Sequence, residues 1–150
     1  MAPGRYVVTR RATDWLEVTL EGDIDPQVAL SCEREVRAQI ALAPQGLRAM
    51  VSLSGVTGYQ LEAREQLVSL QRCIGAKASQ TAYVAESAPG RALALWVIHT
   101  AQGQTVRSFA RAAEAAEWLG PAADVAQSGV REVRRTRQTL IGRKRRSANG

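Results

Sequence analysis

Apolar and polar side chains alternate between residues 15 and 21, with Leu16, Val18 and Leu20 on one face, which is the two-residue period of a half-buried strand. Residues 5–10 are rich in aromatic and β-branched side chains and predict a partner strand, and the polar residues 11–14 between them have the length of a hairpin connection. The pattern then changes period. In Gly22-Asp23-Ile24-Asp25-Pro26, Asp25 suits the cap and Pro26 the first turn of a helix whose apolar stripe is Ala29, Cys32, Val36, Ile40 and Ala43. Pro44 and Gly46 stop it. Residues 48–53, centred on Met50 and Val51, predict a third strand, and Ser54-Gly55-Val56-Thr57-Gly58 predicts a loop. Helical spacing returns over residues 59–74 through Leu67, Val68, Leu70 and Ile74, with Gly75 placed to end it. Residues 81–85 then predict a strand, 89–102 a helix, 105–109 a strand and 111–119 a helix closed by Gly120 and Pro121.

The predicted order is ββαβαβαβα. Strands that alternate with helices of ten or more residues require crossovers, so the fold class is α/β, with a mixed, mostly parallel sheet and helices packed on it. A chain of 150 residues closes one sizeable core. The boundary falls near Pro121, giving one domain over residues 1–121 and a basic segment, expected to be disordered, over 122–150.

Charge sharpens this division. The chain carries +6, yet residues 129–150 hold eight basic residues against Glu132 alone, a net of +7, which leaves −1 for the rest. The folded body is not basic, and the high isoelectric point describes the tail. Arg134, Arg135, Arg137, Arg143, Lys144, Arg145 and Arg146 are the candidate contacts to a polyanion. A nucleic acid and an anionic membrane are both candidate partners for this tail, and a merely solvated tail is the plain alternative.

Candidate chemistry is sparse. No apolar run is long enough to span a membrane or to serve as a secretory signal, so a cytoplasmic location is expected. Cys32 and Cys73 form no CxxC pair and are expected to be reduced and buried, with no metal and no cofactor implied. The single histidine, His99, follows the apolar run Leu93-Ala94-Leu95-Trp96-Val97-Ile98, where a packed or rim position is the expected one. No HExxH, GxSxG, Walker loop or GxGxxG is present, and no catalytic residue is assigned. Ala88-Pro89-Gly90-Arg91 offers a weak anion signal at a helix start.

The most informative stretch is Val51-Ser52-Leu53-Ser54-Gly55-Val56-Thr57-Gly58-Tyr59-Gln60-Leu61-Glu62-Ala63. With the element order, it resembles the STAS domain family, the fold of the SpoIIAA-like bacterial anti-sigma-factor antagonists. Leu53-Ser54-Gly55-Val56-Thr57 matches that family's strand, which reads close to DLSGVT. The turn Gly22-Asp23-Ile24-Asp25 and the closing segment Val106 to Leu119, which ends Ala116-Glu117-Trp118-Leu119, support the match, which covers residues 6–119. The family's next motif, Asp-Ser-Ser-Gly, is altered: an ungapped comparison places Gln60 on its Asp, and Leu61 and Glu62 on its two serines.

The resemblance implies a regulatory, non-enzymatic module that binds a protein partner, such as an anti-sigma or kinase-like regulator, through the connection between the third strand and the second helix. Ser54, Thr57, Tyr59, Gln60, Leu61 and Glu62 are the residues it assigns to that contact. In the antagonists a phosphoserine there controls binding, by adding about two negative charges at a helix N-terminus. Glu62 cannot be phosphorylated, so that switch is not expected. Glu62 is either a fixed negative charge mimicking the modified state or, as the plainer reading has it, a first-turn acid contributing about 0.3–1 kcal/mol to the helix. Thr57 with Gln60 fits a capping box, and Tyr59 is either an interface anchor or packed back over the helix. A second implication comes from SpoIIAA-like relatives linked to apolar ligands or lipids. The largely apolar helix over residues 91–102 suits either a pocket wall or a plain core helix.

Overall fold

A computed structural model describes residues 2–102, 104–121 and 131–134. Strands β1 (Arg5–Ala12) and β2 (Trp15–Ile24) form the expected antiparallel hairpin, with Thr13 and Asp14 as its whole connection. Helix α1 (Pro26–Ile40) starts where Asp25 accepts a hydrogen bond from the Val28 amide at 2.8 Å, with Pro26 in the first turn. There follow β3 (Leu47–Tyr59), α2 (Leu61–Gly75), β4 (Ala78–Val84), α3 (Ala88–Thr100), β5 (Val106–Phe109) and α4 (Ala112–Leu119). These nine elements keep the order read from periodicity.

β2, β3, β4 and β5 run parallel, and β1 is antiparallel to β2, so the sheet is mixed and mostly parallel. Its two faces are packed unequally. On one side α1, α2 and α3 bury a continuous core of strand residues such as Val8, Leu16, Leu20, Val51, Leu53 and Tyr83. On the other, the short α4 contributes Ala115 and Leu119 to a smaller cluster with Trp15, Met50, Ala82 and Val84. Arg48 ties the end of α4 down: its guanidinium donates to the Leu119 carbonyl at 2.9 Å and to Asp14 Oδ2 at 2.6 Å, and lies 5.5 Å from the Trp15 ring.

Two features depart from the sequence reading. The first is β3, which continues through the segment expected to be a loop. β2 itself runs on to Ile24 and offers that stretch a partner, pairing Glu21 with Gly55, Gly22 with Val56, Asp23 with Gly58 and Ile24 with Tyr59 through two register shifts. Gly55 is what permits this pairing, because a Cβ there would lie 2.9 Å from Glu21 Cγ. Turn-forming residues are overridden by ladder hydrogen bonds and by burial of Val56.

The second departure lies in the expected tail. Residues Arg131–Arg134 form a further strand, β6, antiparallel to the outer edge of β1, with Val133 at the register of Val8. The sheet order is therefore β5-β4-β3-β2-β1-β6. An unpaired β1 edge presents a row of backbone donors and acceptors, and this strand meets it over residues 7–10. Among the described residues no helix is long and apolar enough to cross a membrane.

Candidate functional site

The residues that the sequence assigned to one loop are distributed over the end of β3 and the start of α2. Ser54, Thr57 and Tyr59 belong to the strand, Gln60 caps the helix, and Leu61 and Glu62 open it. The capping box expected between Thr57 and Gln60 does not form. Gln60 occupies the cap position without a side-chain hydrogen bond, and Thr57 is held in the strand three residues earlier. Glu62 stands exposed in the first turn, a position both readings of it allow. Tyr59 is half-buried and packs against the main core rather than standing free at a tip.

α3 fixes this corner from beside it. Ser87 caps α3 by accepting from the Gly90 amide at 3.1 Å, and the same hydroxyl donates to the Val56 carbonyl at 2.9 Å. Gly90 lies so close to β3 that a Cβ would sit 2.5 Å from the Leu53 carbonyl oxygen. Glycine is required here by contact, and it lets helix and strand meet directly. The anion signal at this helix start is thereby accounted for, since the Gly90 amide is taken by Ser87 and the Arg91 guanidinium donates to the Glu86 carbonyl.

Leu61 begins a surface that the sequence did not mark as a whole. It is 63% exposed, and one turn along α2 lies Arg64, whose guanidinium carbon is 3.8 Å from the centre of the Trp96 ring on α3. Trp96 is 37% exposed and its neighbour Leu95 60% exposed. Arg64 and Trp96 thus meet across α2 and α3, with Leu61 three residues before Arg64 on α2 and Leu95 next to Trp96 in sequence on α3. Leu93, Ala94 and Val97 fill the core from the inward side of α3. The helix is apolar on both sides, and the outer side faces water. Arg64 is half-buried, and its Nε has no hydrogen-bond partner. The all-round apolar character of α3 was legible in the sequence. Which of its residues face outward, and that Arg64 covers one of them, depends on how α2 and α3 lie together.

His99 is exposed in the last turn of α3. Cys32 is fully buried, which pushes its thiol pKa well up, helped by Glu35 and Glu33. Cys73 is half-buried rather than buried, and both cysteines are free thiols. Burial also raises Cys73, against the lowering effect of Arg37. Among the described residues no three His, Cys, Asp or Glu side chains gather as metal ligands would. On the far face, Arg11, Trp15, Glu17, Ala116, Glu117, Gly120 and Pro121 line an open groove of about 510 Å³. Of the tail residues, Arg134 ends β6. Arg135, Arg137, Arg143, Lys144, Arg145 and Arg146 lie outside the described residues.

No protein-family model and no curated protein matches the chain. Among solved structures it is similar to a protein from Shewanella loihica PV-4, an uncharacterized member of the DUF3478 family with a SpoIIAA-like fold. The likeness covers 80% of this chain and 98% of that one, with a TM-score of 0.60 and 15% sequence identity. Element order, sheet and this likeness agree, and the chain has a SpoIIAA-like fold.

Proposed function

We propose that the chain is a non-enzymatic docking module that binds a protein partner through the α2–α3 seam and the β3–α2 corner beside it. The observation that carries this reading is the Arg64–Trp96 stack between the two helices, together with the exposure of Leu61 on α2 and of Leu95 and Trp96 on α3. Large apolar side chains exposed together mark binding surfaces, and Trp with Arg is the pairing most enriched where a few residues dominate affinity. Leu95 and Trp96 are already partly covered, so burying what remains exposed against a partner is worth less than the ~1.5–3 kcal/mol of a fully exposed apolar side chain, before the costs of association. Thr57, Gln60 and Glu62 form the polar border of this surface, and the site needs no phosphorylation to be complete.

Immobilised wild-type chain and the double variant Leu95→Ser/Trp96→Ala are to be compared for proteins retained from a lysate of the source cells. The wild type is expected to retain a defined protein that the variant loses, with both giving the same circular dichroism spectrum. Retention of the same protein by both removes the seam from the account. Extraction of a lipid from the wild type alone, with no protein retained, replaces the protein partner by an apolar ligand.

A further inference from the structure

Arg10, Arg48 and Arg64 are all half-buried, and only the first two find polar partners within the fold. Arg10 donates to the Gln39 and Thr13 carbonyls, and Arg48 to Asp14 and the Leu119 carbonyl. Arg64 has the Trp96 ring at 3.8 Å, and it makes no hydrogen bond or ion pair with any described residue. A guanidinium keeps its charge at any ordinary pH. Taking it partly out of water without an anion is unfavourable, and a ring face offsets only part of that.

No acid of either helix stands where it could supply the anion. The positions three and four residues from Arg64, which share its side of the helix, are Gln60, Leu61, Leu67 and Val68. Glu62 and Glu65 lie two and one residues away, which turns them off that side. α3 contains no acid from Ala88 to Thr100, and it exposes Arg91 and His99. The contact between α2 and α3 therefore holds a cation with no anion beside it among the described residues.

The surroundings select which anion fits. Leu61, Leu95 and Trp96 are exposed and apolar, which suits apolar side chains beside the charge. Glu62 and Glu65 stand exposed, and residues 1–128 carry a net −1, so a run of phosphates is disfavoured relative to a single carboxylate. Of the guanidinium nitrogens only Nε is sealed without a partner. A carboxylate meeting the terminal nitrogens end-on makes two parallel hydrogen bonds while Trp96 keeps the face.

We propose that the partner supplies this missing carboxylate, as an Asp or Glu set among apolar residues on one segment of a protein, paired with Arg64 beside Trp96. The proposal rests on the α2–α3 docking reading and adds to it the chemistry that the partner must carry.

Random peptides displayed on phage and selected on the immobilised full chain are the probe. The wild type is expected to enrich peptides that place an Asp or Glu beside Leu, Ile, Phe or Trp. One such peptide is then made with its carboxylate and with the matching amide, and both are titrated by calorimetry against the wild type and Arg64→Gln. Loss of the carboxylate is expected to weaken binding to the wild type about tenfold and to Arg64→Gln less than about twofold, the signature of a direct pair. Enrichment of basic or uncharged peptides, an amide peptide that binds the wild type as well as the acid, or equal weakening in both proteins each overturns the proposal. The amide comparison on the wild type decides this even if Arg64→Gln does not fold. Peptide binding that is lost in Leu95→Ser/Trp96→Ala but indifferent to the carboxylate removes the ion pair and leaves the docking surface, whereas binding that survives that double variant removes both.

Discussion

Tyr83 and Gln71 are both sealed from solvent, and each is satisfied by the other: the tyrosine hydroxyl donates to Gln71 Oε1 at 2.8 Å, and Gln71 Nε2 donates onward to Gln104 at 3.1 Å. Removing the hydroxyl leaves a buried acceptor unpaired, which costs about 1–3 kcal/mol. Tyr83→Phe is therefore expected to lower the unfolding free energy measured in urea by that much, and an unchanged value would contradict the network. The same burial makes stability depend on pH. Desolvation raises the Tyr83 hydroxyl above its ordinary 10.0, with Cys32 adding to it, and raises the Cys32 thiol above 9.0. In alkali the unfolded chain releases these protons while the folded chain keeps them, so the folded state binds more protons and stability falls as pH rises. The fall begins near pH 9, and each group contributes up to about 1.4 kcal/mol per pH unit. Denaturation at pH 8 and pH 10.5 is expected to show it, with a smaller difference in Cys32→Ala.

At the scale of elements, the helices and the hairpin were readable because local chemistry and tertiary packing agree. Asp25 and Pro26 begin α1 as their side chains dictate, and its stripe of Ala29, Cys32, Val36 and Ile40 is the buried one. β3 was half-readable. Its second half carries glycines and hydroxyls whose local preference is a turn, and only the extended end of β2 makes it a strand. The residues named for the candidate site sit at this place of conflict, so their geometry was not legible in the sequence. Gly90 shows the same dependence on tertiary contact, since nothing nearby in sequence signals the Leu53 carbonyl against it. Gly90→Ala is expected to push α3 away from β3 and to destabilise by about 1–3 kcal/mol, as overpacking does. A neutral effect would mean that α3 shifts freely over the sheet.

Across the whole molecule, one face of the sheet carries three helices and the other a single short one. Exposed apolar surface concentrates on the better-covered side, where core packing already holds α2 and α3 in place. That makes the seam a rigid surface that needs little ordering on binding, which favours affinity. The net positive charge of the chain lies elsewhere, in residues beyond Ser128, apart from the exposed apolar side chains of α2 and α3. Leu42 supplies an internal control, being 96% exposed in the connection after α1. A photo-crosslinking amino acid placed at position 95, and separately at position 42, tests the docking claim most directly. In source cells, position 95 is expected to give a discrete adduct with another protein, and position 42 none. The same adducts from both positions, or none from position 95, would contradict the claim that the α2–α3 seam is where this chain meets its partner.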